Sequence, residues 1–599
     1  MKIPKRNLEK FVKELVDQCT VSQRTRIQRG QTYQNFALYG AEQPQGAAIF
    51  NKSWTYLGDL RSLMYSPATL RFNISDPDNP NVINMAKGRA ASARLRTLYR
   101  RSETDTGLSQ GTFWGLVKGK SFIKQDWKRG NLSPTIVQPE AMGVLNEGYD
   151  KLDEDMEAFT FSSLLTPYQF ARLVWNRPNR DSLIRESKKF LSNQSREDYS
   201  LTNASQPMQV VVGGLYPYQP VGQGSNTNRG IVDWLGSPSP MIDTRVAQSM
   251  LRLDELWVWD DEREDWATFQ LVGDKMLIFG DIFIANKMAW NPETGKEARF
   301  LKGEHPFREI CPNPVSNYFW GRSEVVNIML LQYALNQRLN GINRLLRKQE
   351  DPPKKITGSA GVNQQVIARF NKPGGWWTDT NPNAKLEELV PTIPADLWND
   401  FHEIERMIDE MGGLPPVARG KGEAGVRGAG HAETLIRMAT PRLKDSSLLI
   451  ERDVEGVAAL SLDLGKAHSD KNLYAWVDEA SAGLIEAPKE VPRGLVPPVA
   501  GTVPVVFTLG DLDEDMTISV DSHSSSPAFQ QEARQLLFDM LKVGALTPSD
   551  VVERADVSDP EGVLAEIGRR EAAQAAEIAK LSAVDPAAAL KLVQGGRKK

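Results

Sequence analysis

The sequence comprises 599 residues, of which 40% are hydrophobic and 25% are charged. This composition supports large cores and argues against a wholly disordered chain, a collagen-like repeat or a coiled-coil rod. The 72 Lys and Arg residues nearly balance the 76 Asp and Glu residues, giving a net charge of −4. A protein that holds nucleic acid over a wide surface is usually basic, because phosphate neutralisation supplies most of its affinity. The charge balance therefore argues against tight, extended nucleic-acid binding.

Cysteine and histidine usage restricts the chemistry further. Cys19 and Cys311 are far apart in sequence, which excludes a disulfide framework and suits a reducing compartment. The five histidines show no metal-ligand spacing, so we expect no metal and no other cofactor. The charged N-terminus lacks the apolar segment of a secretory signal, and residues 271–290 carry four charges, too many for a membrane span. These features predict a soluble, intracellular protein.

The first half of the chain mixes helical and strand patterns. A helix over residues 5–18 is predicted by apolar residues at helical spacing, namely Leu8, Phe11, Val12 and Leu15. Residues 112–165 predict a run of short strands, after which Thr166-Pro167 supplies an N-cap and a first helical position. Residues 176–250, rich in Asn, Ser, Gly and Pro, indicate an irregular or mobile insertion. Alternating patterns over 253–281 predict an antiparallel meander.

Two helices are predicted in the middle of the chain. The first runs from Arg322 to about Gln349, with an apolar stripe interrupted only at Gln332. The second runs from about Ala395 to Met411 and ends at a glycine pair. Its apolar residues form a heptad-type seam: Leu397, Phe401, Ile404, Ile408 and Met411. Its other side is strongly acidic and includes Asp396, Asp400, Glu403 and Glu410.

The remaining segments alternate between loops and helices. Residues 351–392 are compact and polar, with short strand-like patterns and two adjacent tryptophans, Trp376 and Trp377. Residues 413–430 contain six glycines and predict a flexible loop that carries Arg419, Lys421 and Arg427. A further helix is predicted over 431–468, interrupted at a proline, and the C-terminal part is helical again.

Two catalytic motifs match by sequence but lack their structural context. GLSQG at 107–111 matches the nucleophile elbow, which would make Ser109 an exposed nucleophile. The elbow requires a strand before the serine and a helix after it, whereas a polar segment precedes this one and a strand pattern follows it. GKGEAG at 420–425 matches a dinucleotide fingerprint but follows no buried strand. We expect no enzymatic activity, and a serine hydrolase that uses Ser109 stays as the alternative.

The segment around the first long helix resembles the portal proteins of tailed bacteriophages. The resemblance rests on His305-Pro306-Phe307, on YFWGRS at 318–323, and on the long helix with Gln332 and Asn336 that ends at a proline pair. The C-terminal HSSSPAFQQEARQLLFDMLKVG is also similar to the end of portal chains. Together with the order of the parts, the resemblance covers about residues 85–570.

The resemblance implies an α+β fold with the architecture of a portal subunit. The implied parts, in chain order, are a mixed α/β wing (1–315), a first stem helix (316–350), a small α/β clip (351–392), a second stem helix (393–412), a tunnel loop (413–430), a hub helix that returns to the wing (431–520) and a helical crown (521–599).

The resemblance also implies a function: a ring, expected to be a dodecamer, at one capsid vertex, acting as the channel for DNA packaging and ejection. The implied partners are further copies of the chain, double-stranded DNA passing through the channel, terminase, major capsid and scaffolding proteins, and tail or adaptor proteins, but no membrane. The ring would be assembled in the host cytoplasm and reside in the virion. Another homo-oligomeric virion structural protein is a second alternative.

Two sets of residues are candidates for this function. Acidic side chains that face a channel repel phosphate, while a few basic residues on loops make weak, salt-sensitive contacts. The channel candidates are accordingly Arg419, Lys421, Arg427, Asp396, Asp400, Glu403 and Glu410. Tryptophan is enriched at interface centres, and strand edges need pairing. The subunit-interface candidates are Trp376, Trp377, Leu397, Phe401, Ile404, Ile408 and Met411.

Overall fold

The computed structural model describes most of the chain. Apart from gaps of one to five residues, it describes residues 2–185, 251–277, 303–357, 385–411, 441–478, 502–520 and 537–543, together with 211–212, 216–217, 289–290, 297–298 and 551. The labelled helices are α1 (Leu8–Tyr39), α2 (Lys52–Met64), α3 (Val82–Ser102), α4 (Thr104–Lys118), α5 (Pro167–Leu173), α6 (Val325–Glu350), α7 (Ala395–Met411) and α8 (Pro441–His468).

The labelled strands fall into antiparallel pairs and sheets. They are β1 (Phe72–Ser75), β2 (Ser121–Lys128), β3 (Asn131–Val137), β4 (Met142–Val144), β5 (Ala158–Leu165), β6 (Val211–Val212), β7 (Tyr216–Pro217), β8 (Leu251–Asp260), β9 (Asp265–Val272), β10 (Lys275–Leu277), β11 (Ala289–Trp290), β12 (Glu297–Ala298), β13 (Phe307–Ile310), β14 (Lys354–Thr357), β15 (Lys385–Glu388), β16 (Leu473–Asp478), β17 (Thr502–Phe507) and β18 (Thr517–Val520).

The chain forms two compact units. Unit 1 contains Met1–Gly30, Asp59–Ser323 and Pro441–Lys599, and unit 2 contains Gln31–Gly58 and Glu324–Thr440. None of the helices in the described ranges combines the length and the apolar character needed to cross a membrane.

Unit 1 is built around a five-stranded and a three-stranded antiparallel sheet. The strand orders are β10-β9-β8-β5-β4 and β13-β2-β3. Side chains alternate between the two faces of a strand, and the larger sheet buries both faces. One face carries Val258 in a cluster with Val12 of α1. The opposite face carries Phe159 and Trp257 in a cluster with Phe122 of β2. The larger sheet is therefore covered by α1 on one side and by the smaller sheet on the other.

A buried ion pair lies at the edge of this core. Lys118 Nζ is 2.5 Å from Glu140 Oε1, and both side chains are almost inaccessible to solvent. Lys118 also donates a hydrogen bond to Gln138 Oε1 at 2.7 Å. Burial lowers the pKa of the Lys118 ammonium, while the Glu140 carboxylate opposes that shift. Gly30 of α1 leaves room for this pair, since a Cβ there would lie 1.9 Å from Glu140 Oε1.

The structure confirms the α+β class and the antiparallel meander, with β8, β9 and β10 in the predicted region. It corrects the strand prediction at residues 112–118, which form the end of α4. The buried residues of α4 include Thr104, Leu108, Thr112 and Leu116, a helical spacing. Three glycines within the helix weaken its sequence pattern, because glycine disfavours helices.

Two helix boundaries also differ from the sequence prediction. Helix α1 continues to Tyr39, far beyond the predicted end at residue 18. The prediction ended too early because the second half of the helix is polar and shows no clear apolar period. Helix α6 begins at Val325, three residues after the predicted start. Most of the segment 176–250, predicted to be irregular, lies outside the described residues.

Gly88 gives a test of the packing between α3 and β1. A Cβ at Gly88 would lie 2.1 Å from the carbonyl oxygen of Ile74. We expect Gly88→Ala to destabilise the protein by about 1–3 kcal/mol, although alanine normally favours a helix by about 1 kcal/mol. Urea denaturation followed by circular dichroism measures the change. The control is Gly58→Ala in α2, where nothing lies within 4 Å of the added Cβ. Equal midpoints for the two variants would contradict the packing.

Candidate functional site

The candidate site is built on the helix pair α6 and α7 of unit 2. Arg338 of α6 forms an ion pair with Asp400 of α7. Gln332, one and a half turns earlier on α6, binds the backbone N–H of Lys52 at 3.1 Å, and Lys52 pairs with Glu405 of α7. The two helices therefore run antiparallel. Strands β14 and β15, which lie between them in the chain, pair antiparallel. Within the described residues, the order of elements is helix–strand–strand–helix, and we call this arrangement the hairpin.

Gln332 caps the N-terminus of α2 from another helix. Its Oε1 accepts hydrogen bonds from the backbone N–H groups of Lys52 at 3.1 Å and Ser53 at 3.0 Å, and from the Ser53 hydroxyl at 3.0 Å. The side chain of Asn51 accepts a further bond from the N–H of Trp54 at 3.1 Å. The first N–H groups of a helix have no partner inside it. Gln332 and Asn51 together supply the missing acceptors.

Asn336 and Asn340 continue the polar row of Gln332 at four-residue spacing. Asn336 Nδ2 donates to the carbonyl of Gly40 at 2.7 Å, and its Oδ1 accepts from the N–H of Phe50 at 3.3 Å. Asn340 accepts from the N–H of Ala48 at 2.9 Å and donates to the carbonyl of the same residue at 3.2 Å. These amides pair backbone groups of the segment just before α2.

The apolar seam of α7 is buried in its middle and exposed at its C-terminal end. Phe401, Ile404 and Ile408 are buried, and Leu397 is half-buried. Phe401 meets Phe50 edge to face, with ring centroids 5.8 Å apart. Met411, the last residue of the seam, is 40% exposed. Within this chain, the seam thus packs over roughly three of its five positions.

Lys52 joins α2 to the side of α7 that carries Glu405 and Asp409. Its Nζ lies 2.9 Å from Glu405 Oε1 and 3.2 Å from Asp409 Oδ1, and the lysine side chain is nearly buried. A partly buried cation with two carboxylates is held far more firmly than an exposed pair. The single lysine charge therefore offsets about one of these two carboxylate charges inside unit 2.

The remaining acids of α7 form a second, more exposed stripe. Helical spacing places four of them on one side: Asp396, Asp400, Glu403 and Glu410. Arg338 pairs with Asp400, and Arg406 lies 2.7 Å from Glu403 and 3.4 Å from Glu410. Exposed pairs of this kind are weak and screened by salt. The acidic stripe therefore keeps a net negative charge that two arginines reduce.

Several predicted site residues lie outside the described residues: Trp376, Trp377, Arg419, Lys421 and Arg427. Ser109 is described, and it lies within helix α4, half-buried. A nucleophile elbow needs a serine at a sharp turn between a strand and a helix. Ser109 does not have that geometry.

Sequence reasoning missed the roles of Lys52 and Arg338. Lys52 has no local sequence pattern, because its partner Glu405 is 353 residues away in the chain. A sequence feature did exist for the amide row: Gln332 interrupts an apolar stripe, and Asn336 and Asn340 follow at helical spacing. Polar residues repeated on a packed helix face indicate buried hydrogen bonds.

No protein-family model matches the chain, and no curated protein matches it in sequence. Among solved structures, the chain is similar to a chain in the virion of a native gene transfer agent (GTA) particle, with 10% identity and a TM-score of 0.36, over 87% of this chain and 91% of that one. It is also similar to a chain in the neck of the native GTA particle computed with C12 symmetry, with 10% identity and a TM-score of 0.36, over 87% of this chain and 92% of that one.

A third similar chain belongs to the neck of an empty GTA particle computed with C6 symmetry, with 11% identity and a TM-score of 0.35, over 84% of this chain and 89% of that one. Likenesses at these values do not establish a shared fold or function.

The amide row gives a direct test of how α6 caps the N-terminus of α2. Gln332→Leu keeps the size of the side chain but leaves the N–H groups of Lys52 and Ser53 without their acceptor. We expect a loss of about 2 kcal/mol or more, because a buried donor without an acceptor costs about 1–3 kcal/mol. Urea denaturation measures the loss, and hydrogen exchange should show faster exchange at residues 52 and 53.

The matched control for this test is Gln337→Leu on the same helix, where the side chain is exposed. It should leave both stability and exchange nearly unchanged. If the two variants behave alike, Gln332 does not cap α2.

Proposed function

We propose that the protein is a portal-type virion subunit: a ring-forming, non-enzymatic structural protein through which double-stranded DNA passes. In this proposal the ring is a dodecamer at one capsid vertex, it docks terminase during packaging, and it later holds tail or adaptor proteins. Capsid and scaffolding proteins surround it during assembly.

The observation that carries the proposal is the helix–strand–strand–helix hairpin of unit 2. Helices α6 and α7 run antiparallel, and the described strands between them, β14 and β15, form their own pair. That order corresponds to the stem, clip and second stem expected from the sequence resemblance. The amide row and the Lys52 ion pairs hold α6 and α7 in fixed positions, as the lining of a channel requires.

Exposed apolar residues on the hairpin support assembly with further copies of the chain. On α6, Leu330 is 75% exposed and Tyr333 is 56% exposed, and their spacing places them side by side. On α7, Trp398 and Met407 are also exposed. Apolar surface of this kind, next to charged residues, is typical of protein–protein contacts. A ring buries such a surface through one repeated, head-to-tail contact.

The charge of α7 supports passage of DNA without retention. The acidic stripe, defined above by Asp396, Asp400, Glu403 and Glu410, repels phosphate, but the adjoining arginines keep the repulsion moderate. In the proposal, Arg419, Lys421 and Arg427 of the following loop add weak, salt-sensitive contacts. The proposal also assigns Trp376 and Trp377 to the contact between neighbouring clips.

The first experiment tests ring formation. Twelve subunits of 66.7 kDa have a mass of about 800 kDa, which mass photometry and axial particle images distinguish from smaller assemblies. We expect Leu330→Glu with Tyr333→Glu to yield monomers or incomplete rings, because charges would enter the contact. The control is Tyr168→Glu in α5, an aromatic residue that is 79% exposed. Intact rings from the double variant would contradict the assigned contact.

The second experiment tests which acids face DNA. Glu403→Lys with Glu410→Lys on the assembled ring should raise its affinity for double-stranded DNA at least tenfold at low salt. The dependence on salt should steepen by about 0.9 in log–log slope for each additional phosphate that the ring neutralises.

The matched control changes Glu9 and Glu14 to Lys in α1, where both acids are exposed and ion-paired with nearby lysines. Binding curves at several salt concentrations compare the two rings. If the control raises the affinity as much as the Glu403 and Glu410 variant does, the acidic stripe has no special relation to DNA.

A further inference from the structure

A cavity of about 420 Å³ lies in unit 1. It opens between the turn at residues 151–155 and the segment 303–309. Its floor consists of aromatic rings, and its rim carries five carboxylates together with Lys151 and Arg308. We call it the aromatic cavity, defined by Trp259, Trp266, His305 and Phe307 on the floor and by residues 153–155 on the rim.

The aromatic floor is rigid because strand pairing and ring contacts hold it. Trp259 of β8 and Trp266 of β9 are cross-strand partners, and their rings meet edge to face with centroids 5.5 Å apart. Trp266 meets His305 in the same way at 5.4 Å. Trp266 and Phe307 are fully buried, whereas Trp259 is half-buried and keeps part of its indole accessible.

His305 contributes a neutral ring to this floor. Its Nε2 lies 2.7 Å from the carbonyl of Leu152, to which it donates, and its Nδ1 accepts from the N–H of Phe307 at 3.2 Å. Burial, and secondly the nearby Arg308 guanidinium, lower the pKa of His305 to about 3. The imidazole therefore carries no charge at neutral pH, and both of its nitrogens are satisfied within unit 1.

Some carboxylates of the cavity are already paired. Glu309 accepts from Lys120 Nζ and, through Oε1, from the N–H of Leu152 at 2.9 Å. Glu304 pairs with Arg308. These groups fix the two sides of the cavity but leave little net charge of their own.

The rim carboxylates Asp153, Glu154 and Asp155 are different. They are consecutive and exposed, and among the described residues none forms an ion pair with them. Burial, and secondly repulsion from Asp155 and Glu309, raise the pKa of Asp153. The Lys151 ammonium, which also lines the cavity, opposes the rise in the pKa of Asp153 and offsets part of this charge, so the rim keeps a reduced net negative charge above an electron-rich floor. Within the described parts of the chain, no group of His, Cys, Asp and Glu is arranged to hold a metal ion.

We propose that the aromatic cavity binds an organic cation, a guanidinium or alkylammonium group, between the indole of Trp259 and the carboxylates of Asp153 and Asp155. Aromatic faces attract such cations, and carboxylates pair with their N–H groups. The cation is either a basic side chain of a partner protein or a free polyamine, since both present the same chemistry. The proposal is independent of the ring and of DNA passage.

The experiment measures binding of Nα-acetyl-argininamide to the full-length protein by isothermal titration calorimetry at about 0.15 M salt. Nα-acetyl-citrullinamide, which has nearly the same shape without the charge, is the ligand control. We expect saturable binding of the arginine probe with one site per chain, and at least tenfold weaker binding of the citrulline probe.

Three variants assign the site. Asp153→Asn with Asp155→Asn should weaken binding of the arginine probe at least tenfold, and so should Trp259→Leu. Glu157→Gln is the matched control, because Glu157 is an exposed acid of the same loop that does not line the cavity. Thermal denaturation shows whether each variant folds. If Trp259→Leu does not fold, the variant with both aspartates replaced is enough to test the site. Equal binding by the two-aspartate variant and Glu157→Gln, or no saturable binding at all, overturns the proposal.

Two further titrations identify the source of the cation. One uses a Gly-Ser peptide with a single central arginine, and the other uses spermidine. Tighter binding of the peptide assigns the cavity to a side chain of a partner protein, and tighter binding of spermidine assigns it to a free polyamine. Both titrations are repeated with the arginine amide already bound. If neither the peptide nor spermidine displaces the amide, the proposal is overturned.

Discussion

One buried amide fixes how the N-terminal segment and the long helix of unit 2 fit together. Gln332 accepts from the N–H groups that begin α2 and donates to the carbonyl of Phe50 at 2.7 Å, 282 residues earlier in the chain. Because an unpaired buried polar group costs about 1–3 kcal/mol, α2 cannot slide along α6 without losing these bonds. The same register brings Lys52 to Glu405 and Asp409, so the position of α7 depends on it as well.

The elements that the sequence predicts well are those whose evidence is local. The heptad spacing of α7 and the glycines after it indicated its bounds, because one face of that helix packs and a glycine pair follows. The strand alternation in β8 and β9 predicted antiparallel neighbours, because a short turn between two strands allows no other pairing. Helix α4 was not predicted because its glycines lower the local helix propensity. These glycines allow neighbouring residues to pack closely against the helix.

The contacts that the sequence could not predict join distant segments. Strand β13 pairs with β2 about 180 residues earlier, and Lys52 meets Glu405 across 353 residues. No periodicity within either segment encodes such a partner. The same limit affects charge: the acidic stripe of α7 is plain in the sequence, but Arg338, which pairs with Asp400, lies on another helix. Composition alone therefore overstates the negative potential of that face.

The distribution of satisfied and unsatisfied groups indicates where unit 2 meets other molecules. The amide row and Lys52 have their partners inside unit 2, so these polar groups need no partner from another chain. Leu330 and Tyr333 expose apolar surface on α6, and the stripe of α7 keeps net negative charge. Burying apolar area stabilises association, whereas burying unpaired carboxylates costs free energy. In the proposed ring, neighbouring copies would cover the apolar face of α6, and the acidic stripe would remain in water along the proposed path of DNA.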